Sequence, residues 1–232
     1  MKRLLTPFIL LVMAFTSITA FAAVAKDTRQ RVRFETTSGT FVVALYDDTP
    51  IHRDNFLRLV RSGFYDGILF HRVIEGFMVQ AGDPDSRQAR PGQRLGEKSE
   101  GETLPAEIRY PGHYHLRGAL AAARLGDGIN PERRSSGSQF YIVWGERMSQ
   151  RILAPIFEYD AQFLAEGEEL PSSVRTDYET LGGSPHLDGQ YTVFGEVVEG
   201  LKVIKKMQKA DTDANDRPVT DIRILKATVV GE

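Results

Sequence analysis

A charged donor, apolar side chains and an amide lie close together in the sequence between residues 70 and 83. This stretch reads FHRVIEGFMVQAGD and contains Arg72, Met78 and Gln80. Two extended segments joined by its Glu-Gly turn would place Met78 and Gln80 on one face of a sheet, because side chains on a strand alternate between faces. We assume a pairing of the two segments that sets Arg72 beside them. Such a guanidinium could donate hydrogen bonds to a reacting group held against an apolar surface.

The components of this cluster do not identify a site individually. An arginine on a strand is more often a solvated charge, and methionine and aromatic residues are more often part of a core. His71 has the side chain of a general base, but no serine or cysteine nucleophile motif accompanies it. We therefore expect His71 to play a structural role, with hydrogen bonds inside the strand.

Composition excludes several classes of chemistry. The chain has 232 residues, no cysteine and a net charge of -2, which leaves no thiolate chemistry, no disulfide and no electrostatic pattern for nucleic acid. His113 and His115 alone are too few to hold a metal. Residues 211–216 begin like a calcium loop, but Asp216 and Ile222 replace the glycine and the glutamate that such a loop needs. We expect no metal and no cofactor.

Short strands dominate the predicted elements. A hairpin is expected over residues 31–46, and a helix follows Thr49-Pro50, which supply an N-cap and a proline at the first helical position. Further strands are predicted at 68–73, 77–82, 116–122, 140–143, 191–197 and 222–230, and a second helix at 201–208. Many strands without strand–helix alternation favour an antiparallel barrel or sandwich. We prefer a closed barrel, because closure leaves no exposed sheet edge.

Residues 145–184 interrupt this strand pattern. Ile152, Ile156, Tyr159 and Phe163 recur there at helical spacing. A segment of about 40 residues rarely sustains its own core, so a single insertion is favoured over a second domain. The insertion forms either a rim or lid over a neighbouring site or a surface decoration without a role.

The first 25 residues have the pattern of a secretory signal peptide. Two basic residues precede an apolar run over 4–15, and the sequence AFA at 20–22 places small residues where signal peptidase cuts. The run is shorter than the roughly 20 residues of a membrane span, which favours cleavage near 22–25 over a retained anchor. No cysteine is present for lipid attachment. We expect one periplasmic or secreted domain over 26–232, without stable membrane insertion after cleavage.

Three motifs in order resemble those of the cyclophilin-type peptidyl-prolyl cis/trans isomerases. The first is the stretch at 70–83, the second is SGSQFYI at 136–142, and the third is LDGQYTVFG at 187–195. The resemblance covers about residues 30–230 apart from the insertion. It implies a mainly β fold, a closed eight-stranded antiparallel β-barrel capped by two α-helices with a partly helical insertion. It also implies an enzyme that rotates Xaa-Pro peptide bonds.

The resemblance implies roles for individual residues. Arg72 would be the catalytic residue. The residues that bind substrate would be Phe77, Met78, Tyr141 and Leu187 as floor and walls of a proline pocket, Tyr191 at its side, Gln80 and Gln139 on the peptide backbone, and Ala123 and Arg124 facing the residues before proline.

Three positions depart from the family pattern. Tyr141 stands where phenylalanine is usual, which is a mild change if its hydroxyl reaches water. Arg124 stands where asparagine is common. His186, also assigned to substrate binding, falls where eukaryotic members carry a tryptophan associated with cyclosporin binding, so we predict weak affinity for cyclosporin.

The expected partners are proline-containing segments of unfolded or partly folded exported proteins, bound by a monomer. Two alternatives stay open at this point. One is a non-catalytic peptide-binding module or holdase chaperone on the same barrel, and the other is a scaffold whose insertion docks a fixed partner. Arg72 distinguishes the first alternative, because a pure binder needs no donor to the proline nitrogen.

Overall fold

Eight antiparallel strands form one sheet in the computed structural model, which describes residues 27–231. The strands are β1 (Arg31–Thr36), β2 (Gly39–Leu45), β3 (Phe70–Ile74), β4 (Met78–Ala81), β5 (Ala119–Ala122), β6 (Phe140–Val143), β7 (Val193–Glu199) and β8 (Ile224–Val229). Every predicted strand is present near its expected limits. The predicted signal peptide, residues 1–25, lies outside the described residues.

The sheet is an open half-barrel, so the prediction of a closed barrel is wrong. Its strand order is β3-β4-β6-β5-β7-β2-β1-β8, and within residues 27–231 its two edges meet at an isolated bridge between Leu69 and Arg223 instead of a ladder. The sheet stays open because residues 62–67, which lie opposite β8, form turns instead of a strand. The carboxylate of Asp66 accepts the Ala227 N–H at 3.0 Å, which satisfies a donor of the β8 edge without another strand.

Two α-helices accompany the sheet at the predicted positions, and two more lie in the insertion. The helices are α1 (Pro50–Arg61), α2 (Gln150–Asp160), α3 (Ser172–Thr180) and α4 (Leu201–Met207). Aromatic side chains fill the core between the sheet and α1, among them Phe34, Phe41, Phe56, Tyr65 and Phe140. None of the helices within residues 27–231 is long and apolar enough to cross a membrane.

The start of α1 is held by Glu107 and not by the predicted cap. Thr49 precedes the helix but makes no side-chain capping bond. The carboxylate of Glu107 accepts the N–H groups of Ile51 at 3.1 Å and His52 at 2.9 Å. A carboxylate at this position satisfies unpaired helix donors and complements the helix dipole.

The insertion contains the predicted helix, but its buried face is not the predicted one. Ile152 and Tyr159 are more than half exposed. Leu153 and Phe157 are buried instead and pack against Tyr178 of α3. The buried stripe of α2 therefore lies one residue further along, because α3 supplies the apolar surface that the sequence pattern could not locate.

Candidate active site

The outer faces of β3, β4 and β6 bring the predicted catalytic and binding residues together. The strand register pairs Arg72 with Gln80 and Gln80 with Tyr141, which confirms the assumption that Arg72 lies beside Gln80. Val79 and Ile142 point to the other side, into the main core. The two-residue period of the strands thus separates a pocket face from a core face.

Nine of the predicted site residues line one pocket, which encloses about 710 Å³ of space partly open to solvent. They are Arg72, Phe77, Met78, Gln80, Ala123, Arg124, Tyr141, Leu187 and Tyr191. The other two, Gln139 and His186, do not line it. No lining residue belongs to 145–184, so among the described residues the insertion forms no rim around this pocket.

The floor of the pocket is apolar. Met78 and Tyr141 are 2% and 5% exposed and pack with small and branched residues of β5, β6 and β7. Phe77, Leu187 and Tyr191 are partly buried and pack against this cluster. An apolar hollow with a few polar groups at its edge is the usual form of a binding pocket for a small apolar ring.

Arg72 stands at the polar side of the pocket with a side chain that is 42% exposed. Its Nε lies 3.3 Å from Asp216 Oδ2, and its Nη1 lies 3.5 Å from Gln80 Oε1. Its Nη2 has no hydrogen-bond partner among residues 27–231. The guanidinium is therefore oriented by the protein while it keeps donor protons for a bound group.

Asp216 is a site residue that the sequence did not reveal. It lies in a loop that we interpreted as polar, with a left-handed φ of 60°. Its backbone oxygen accepts the N–H of Val73 at 2.8 Å, which fixes the loop against β3 beside Arg72. No local sequence signal pointed to this contact.

Gln139 supports Gln80 instead of facing the peptide. Its Oε1 accepts a hydrogen bond from Gln80 Nε2 at 2.9 Å, and its Nε2 donates to the carbonyl groups of Gly96 and Lys98 at 2.9 and 2.6 Å. Both amide protons are used, so the expected contact of Gln139 with the peptide backbone does not fit this placement. Gln139 instead orients the Gln80 amide.

The hydroxyl of Tyr141 is buried, so the condition under which the change from phenylalanine would be mild is not met. It bonds to Nε2 of His115 at 2.9 Å, and burial raises the pKa of Tyr141 well above its usual value. His115 in turn lies 2.8 Å from Asp188 through Nδ1. His115 and Asp188 were both missed as site residues, and the replacement of phenylalanine by Tyr141 was the one signal for a buried polar partner.

The guanidinium of Arg124 is bonded to other groups of the protein. Its guanidinium carbon lies 4.3 Å from the centre of the Tyr191 ring, Nε donates to the Gln190 carbonyl at 2.9 Å, and Nη1 lies 2.6 Å from Asp127. Arg124 and Tyr191 therefore form a side wall of the pocket, because hydrogen bonds fix Arg124 and its guanidinium stacks on the Tyr191 ring.

Two histidines near the pocket have lowered pKa values. The ring of His186 lies 5.5 Å from that of Phe77, and burial lowers the pKa of His186. His71 is 3% exposed, and burial lowers its pKa to about 4. This burial agrees with the structural role expected of His71; the backbone of Leu69 acts on its ring, but neither ring nitrogen makes a hydrogen bond of normal geometry among the described residues.

His113 and His115 bind separate partners. His113 Nε2 lies 2.8 Å from Asp48, and the ring stacks on Tyr46 at 3.9 Å, whereas His115 is buried against Asp188. In the part of the chain that the structure describes, no group of three or more His, Cys, Asp or Glu side chains could hold a metal.

Comparison with known proteins identifies the family. The family model "Cyclophilin type peptidyl-prolyl cis-trans isomerase/CLD" matches residues 31–229. Peptidyl-prolyl cis-trans isomerase-like 1 of Neurospora crassa is 34% identical over 202 residues, covering 87% of this chain and 94% of that protein. Peptidyl-prolyl cis-trans isomerase CYP18-2 of Arabidopsis thaliana is 33% identical over 201 residues, covering 86% and 93%.

Solved structures of the same family are similar to this chain. The crystal structure of a cyclophilin type peptidyl-prolyl cis-trans isomerase of Cryptosporidium parvum superposes with a TM-score of 0.62 and 25% identity, over 88% of this chain and 99% of that chain. A second structure of that enzyme, in the presence of the dipeptide Ala-Pro, gives the same TM-score. The chain belongs to the cyclophilin-type peptidyl-prolyl cis/trans isomerases and is an enzyme of that class.

Proposed function

We propose that the protein catalyses rotation about Xaa-Pro bonds in exported proteins, with Arg72 as the catalytic residue. The observation that carries this proposal is the hydrogen bonding of the Arg72 guanidinium. Nε is held by Asp216 at 3.3 Å, while Nη2 is without a partner among the described residues beside an apolar floor.

The chemistry follows from the amide bond. Rotation about an Xaa-Pro bond loses amide resonance, with an activation energy of about 20 kcal/mol and uncatalysed times of tens of seconds. In the twisted state the proline nitrogen becomes pyramidal, and its lone pair can accept a hydrogen bond. A donor such as Arg72 Nη2 stabilises this state and not the planar amide, which is the condition for catalysis.

The size of this effect can be bounded. A charge-assisted hydrogen bond contributes about 1.5–3 kcal/mol, which corresponds to roughly 10- to 150-fold in rate. A larger acceleration requires the apolar floor formed by Met78 and Tyr141, which excludes water from the reacting bond. Gln80 supplies the polar group next to Arg72 for the peptide backbone.

A role in folding predicts a defined effect on refolding. A substrate protein whose slow refolding phase is limited by proline isomerisation should refold faster in the presence of catalytic amounts of this protein. The slow phase should shorten in proportion to enzyme concentration. An unchanged slow phase, with peptide turnover intact, would contradict the folding role alone.

We propose export to the periplasm or the exterior on the basis of the first 25 residues, and a monomeric mature protein. The basic start, the apolar run at 4–15 and the small residues at 20 and 22 support cleavage. The mass of the protein recovered after expression of the full chain should correspond to a start between residues 23 and 26. Recovery of the uncleaved chain from membranes would contradict export by cleavage, and a dimer mass in light scattering would contradict the monomer.

A further inference from the structure

A buried polar chain runs from the floor of the pocket to the insertion. Tyr141 Oη lies 2.9 Å from His115 Nε2, and His115 Nδ1 lies 2.8 Å from Asp188 Oδ1. The other oxygen of Asp188 accepts a hydrogen bond from the hydroxyl of Tyr178 at 2.7 Å. Tyr178 belongs to α3, so four side chains connect the pocket to a helix of the insertion.

The four side chains of this polar chain allow one consistent arrangement of their protons. The Asp188 carboxylate accepts bonds and donates none, so His115 carries its proton on Nδ1 and donates it to Asp188. The free Nε2 then accepts the hydroxyl proton of Tyr141. Asp188 also accepts the backbone N–H of His115 at 2.8 Å. Each polar hydrogen in these four side chains has an acceptor: Tyr141 donates to His115, and His115 and Tyr178 both donate to Asp188.

Burial makes this arrangement costly to change. His115 is 1% exposed, and Asp188 and Tyr178 are fully buried. When a buried partner is removed, water cannot replace it, and the group left unpaired bears its desolvation cost. The ring of His115 also lies nearly parallel to that of Tyr141, with centroids 6.0 Å apart. The position of the Tyr141 ring thus depends on its bond to His115.

We propose that Tyr178 is a positioning residue for the isomerase reaction, acting through Asp188 and His115 to fix the Tyr141 ring at the floor of the pocket. The insertion then acts on the pocket from behind its floor and not as a lid. This inference rests on the proposed function, since it concerns how the same pocket holds proline.

The insertion provides a matched control. The hydroxyl of Tyr114 donates to the carboxylate of Asp177, also on α3. This bond resembles that between Tyr178 and Asp188, because both join a tyrosine to a carboxylate across the junction of α3 with the rest of the domain. It does not lead to Tyr141. Tyr114→Phe therefore tests the stability of the insertion without breaking the chain to the pocket.

The test is a double-mutant cycle with Tyr178→Phe and Tyr141→Phe, read as kcat/KM for an Ala-Pro peptide below the unfolding temperature of every variant. We expect Tyr178→Phe to lower kcat/KM by about three- to tenfold and Tyr114→Phe to leave it unchanged. In the Tyr141→Phe background, Tyr178→Phe should have no further effect, because both substitutions break one chain. A purely structural role would give independent losses that multiply.

Three results would overturn the proposal: losses that multiply in the double variant, an unchanged kcat/KM in Tyr178→Phe, or an equal loss in Tyr114→Phe. A wild type without turnover would contradict the proposed function instead. The same cycle would then be measured as affinity for the Ala-Pro peptide, where the proposal expects the same pattern of non-additive losses and independent losses overturn it.

Discussion

The carboxylate of Asp216 lies 3.3 Å from Nε of Arg72, across 144 residues of sequence. Both side chains are more than 40% exposed, and pairs of this exposure stabilise a fold by at most about 1 kcal/mol. The contact therefore matters more for the orientation of the guanidinium than for the stability of the domain. It also places the loop of Asp216 beside Arg72 at the edge of the candidate site.

Replacing Asp216 should lower activity without unfolding the protein. Asp216→Asn weakens the bond to Arg72 Nε and frees the guanidinium to turn away from the pocket, so we expect kcat/KM to fall about two- to fivefold with a change in Tm of about 2 °C or less. Asp211→Asn, in the same loop, is the control and should retain wild-type kcat/KM. Equal activity of Asp216→Asn and wild type would show that Arg72 is oriented without this pair.

Replacing Gln139 should weaken both binding and stability. Gln139→Leu leaves Gln80 without its partner and the carbonyl groups of Gly96 and Lys98 without a donor. Gln80 and Gly96 are half-buried and Lys98 is exposed, so water can replace part of the lost bonding, and urea unfolding should show a loss of about 0.5–1.5 kcal/mol. We also expect a rise in KM of several-fold. Gln162→Leu, at an exposed position with one backbone contact, should change neither quantity, and an unaltered KM in Gln139→Leu would remove its positioning role.

Asp160 should make the stability of the protein depend on pH. Its side chain is fully buried without a hydrogen-bond partner among the described residues. Burial, and then the charge of Asp188, raise its pKa from 3.8 to about 7. As pH rises, the unfolded chain releases this proton first. Stability therefore falls between about pH 4 and pH 7 and levels off above that range.

Asp160→Asn should remove this loss. A pKa raised from 3.8 to about 7 corresponds to roughly 4 kcal/mol at pH 8, so we expect its Tm there to exceed that of the wild type by about 8–16 °C. At pH 4 the two proteins should differ little. Glu158→Gln, on the exposed side of the same helix, should show no such pH-dependent difference. A constant difference between Asp160→Asn and wild type from pH 4 to 8 would contradict the raised pKa.

Cyclosporin should bind weakly. The family resemblance implies that His186 falls where eukaryotic members carry a tryptophan, and its ring packs beside Phe77 at 5.5 Å. We expect wild-type turnover to resist cyclosporin and His186→Trp to become more sensitive, because a larger apolar ring restores contact area. A nanomolar inhibition constant for the wild type would contradict this prediction.

Local patterns in the sequence predicted the elements well because they depend on neighbouring residues. The alternation in β1 and β2 and the proline at the start of α1 are signals of this kind. The open edge of the sheet was missed because it depends on the turns at 62–67 and on Asp66, which meets β8 only in the folded chain. The buried face of α2 was missed for a similar reason, since α3 determines it.

In the pocket, too, some residues were predicted from sequence motifs, whereas long-range contacts were not. Most residues inside the three motifs came together as the family resemblance implied, because strand register carries Arg72, Gln80 and Tyr141 to one face; Gln139 instead lies behind Gln80. Ala123 and Arg124 lie outside the motifs and were also predicted to face the peptide, but contacts that depend on distant loops and helices were not visible in the sequence. Asp216 reaches Arg72 from a distant loop, and Tyr178 reaches the pocket through two intermediate side chains.

The most direct test of Arg72 is the turnover of an Ala-Pro peptide in a protease-coupled assay, with wild type, Arg72→Lys and Arg72→Ala compared at equal folded concentration. We expect the wild type to turn over and Arg72→Ala to lose roughly 10- to 150-fold in kcat/KM, with Arg72→Lys between them. The absence of turnover in every variant would favour a non-catalytic peptide binder. Equal turnover by wild type and Arg72→Ala would contradict the mechanism.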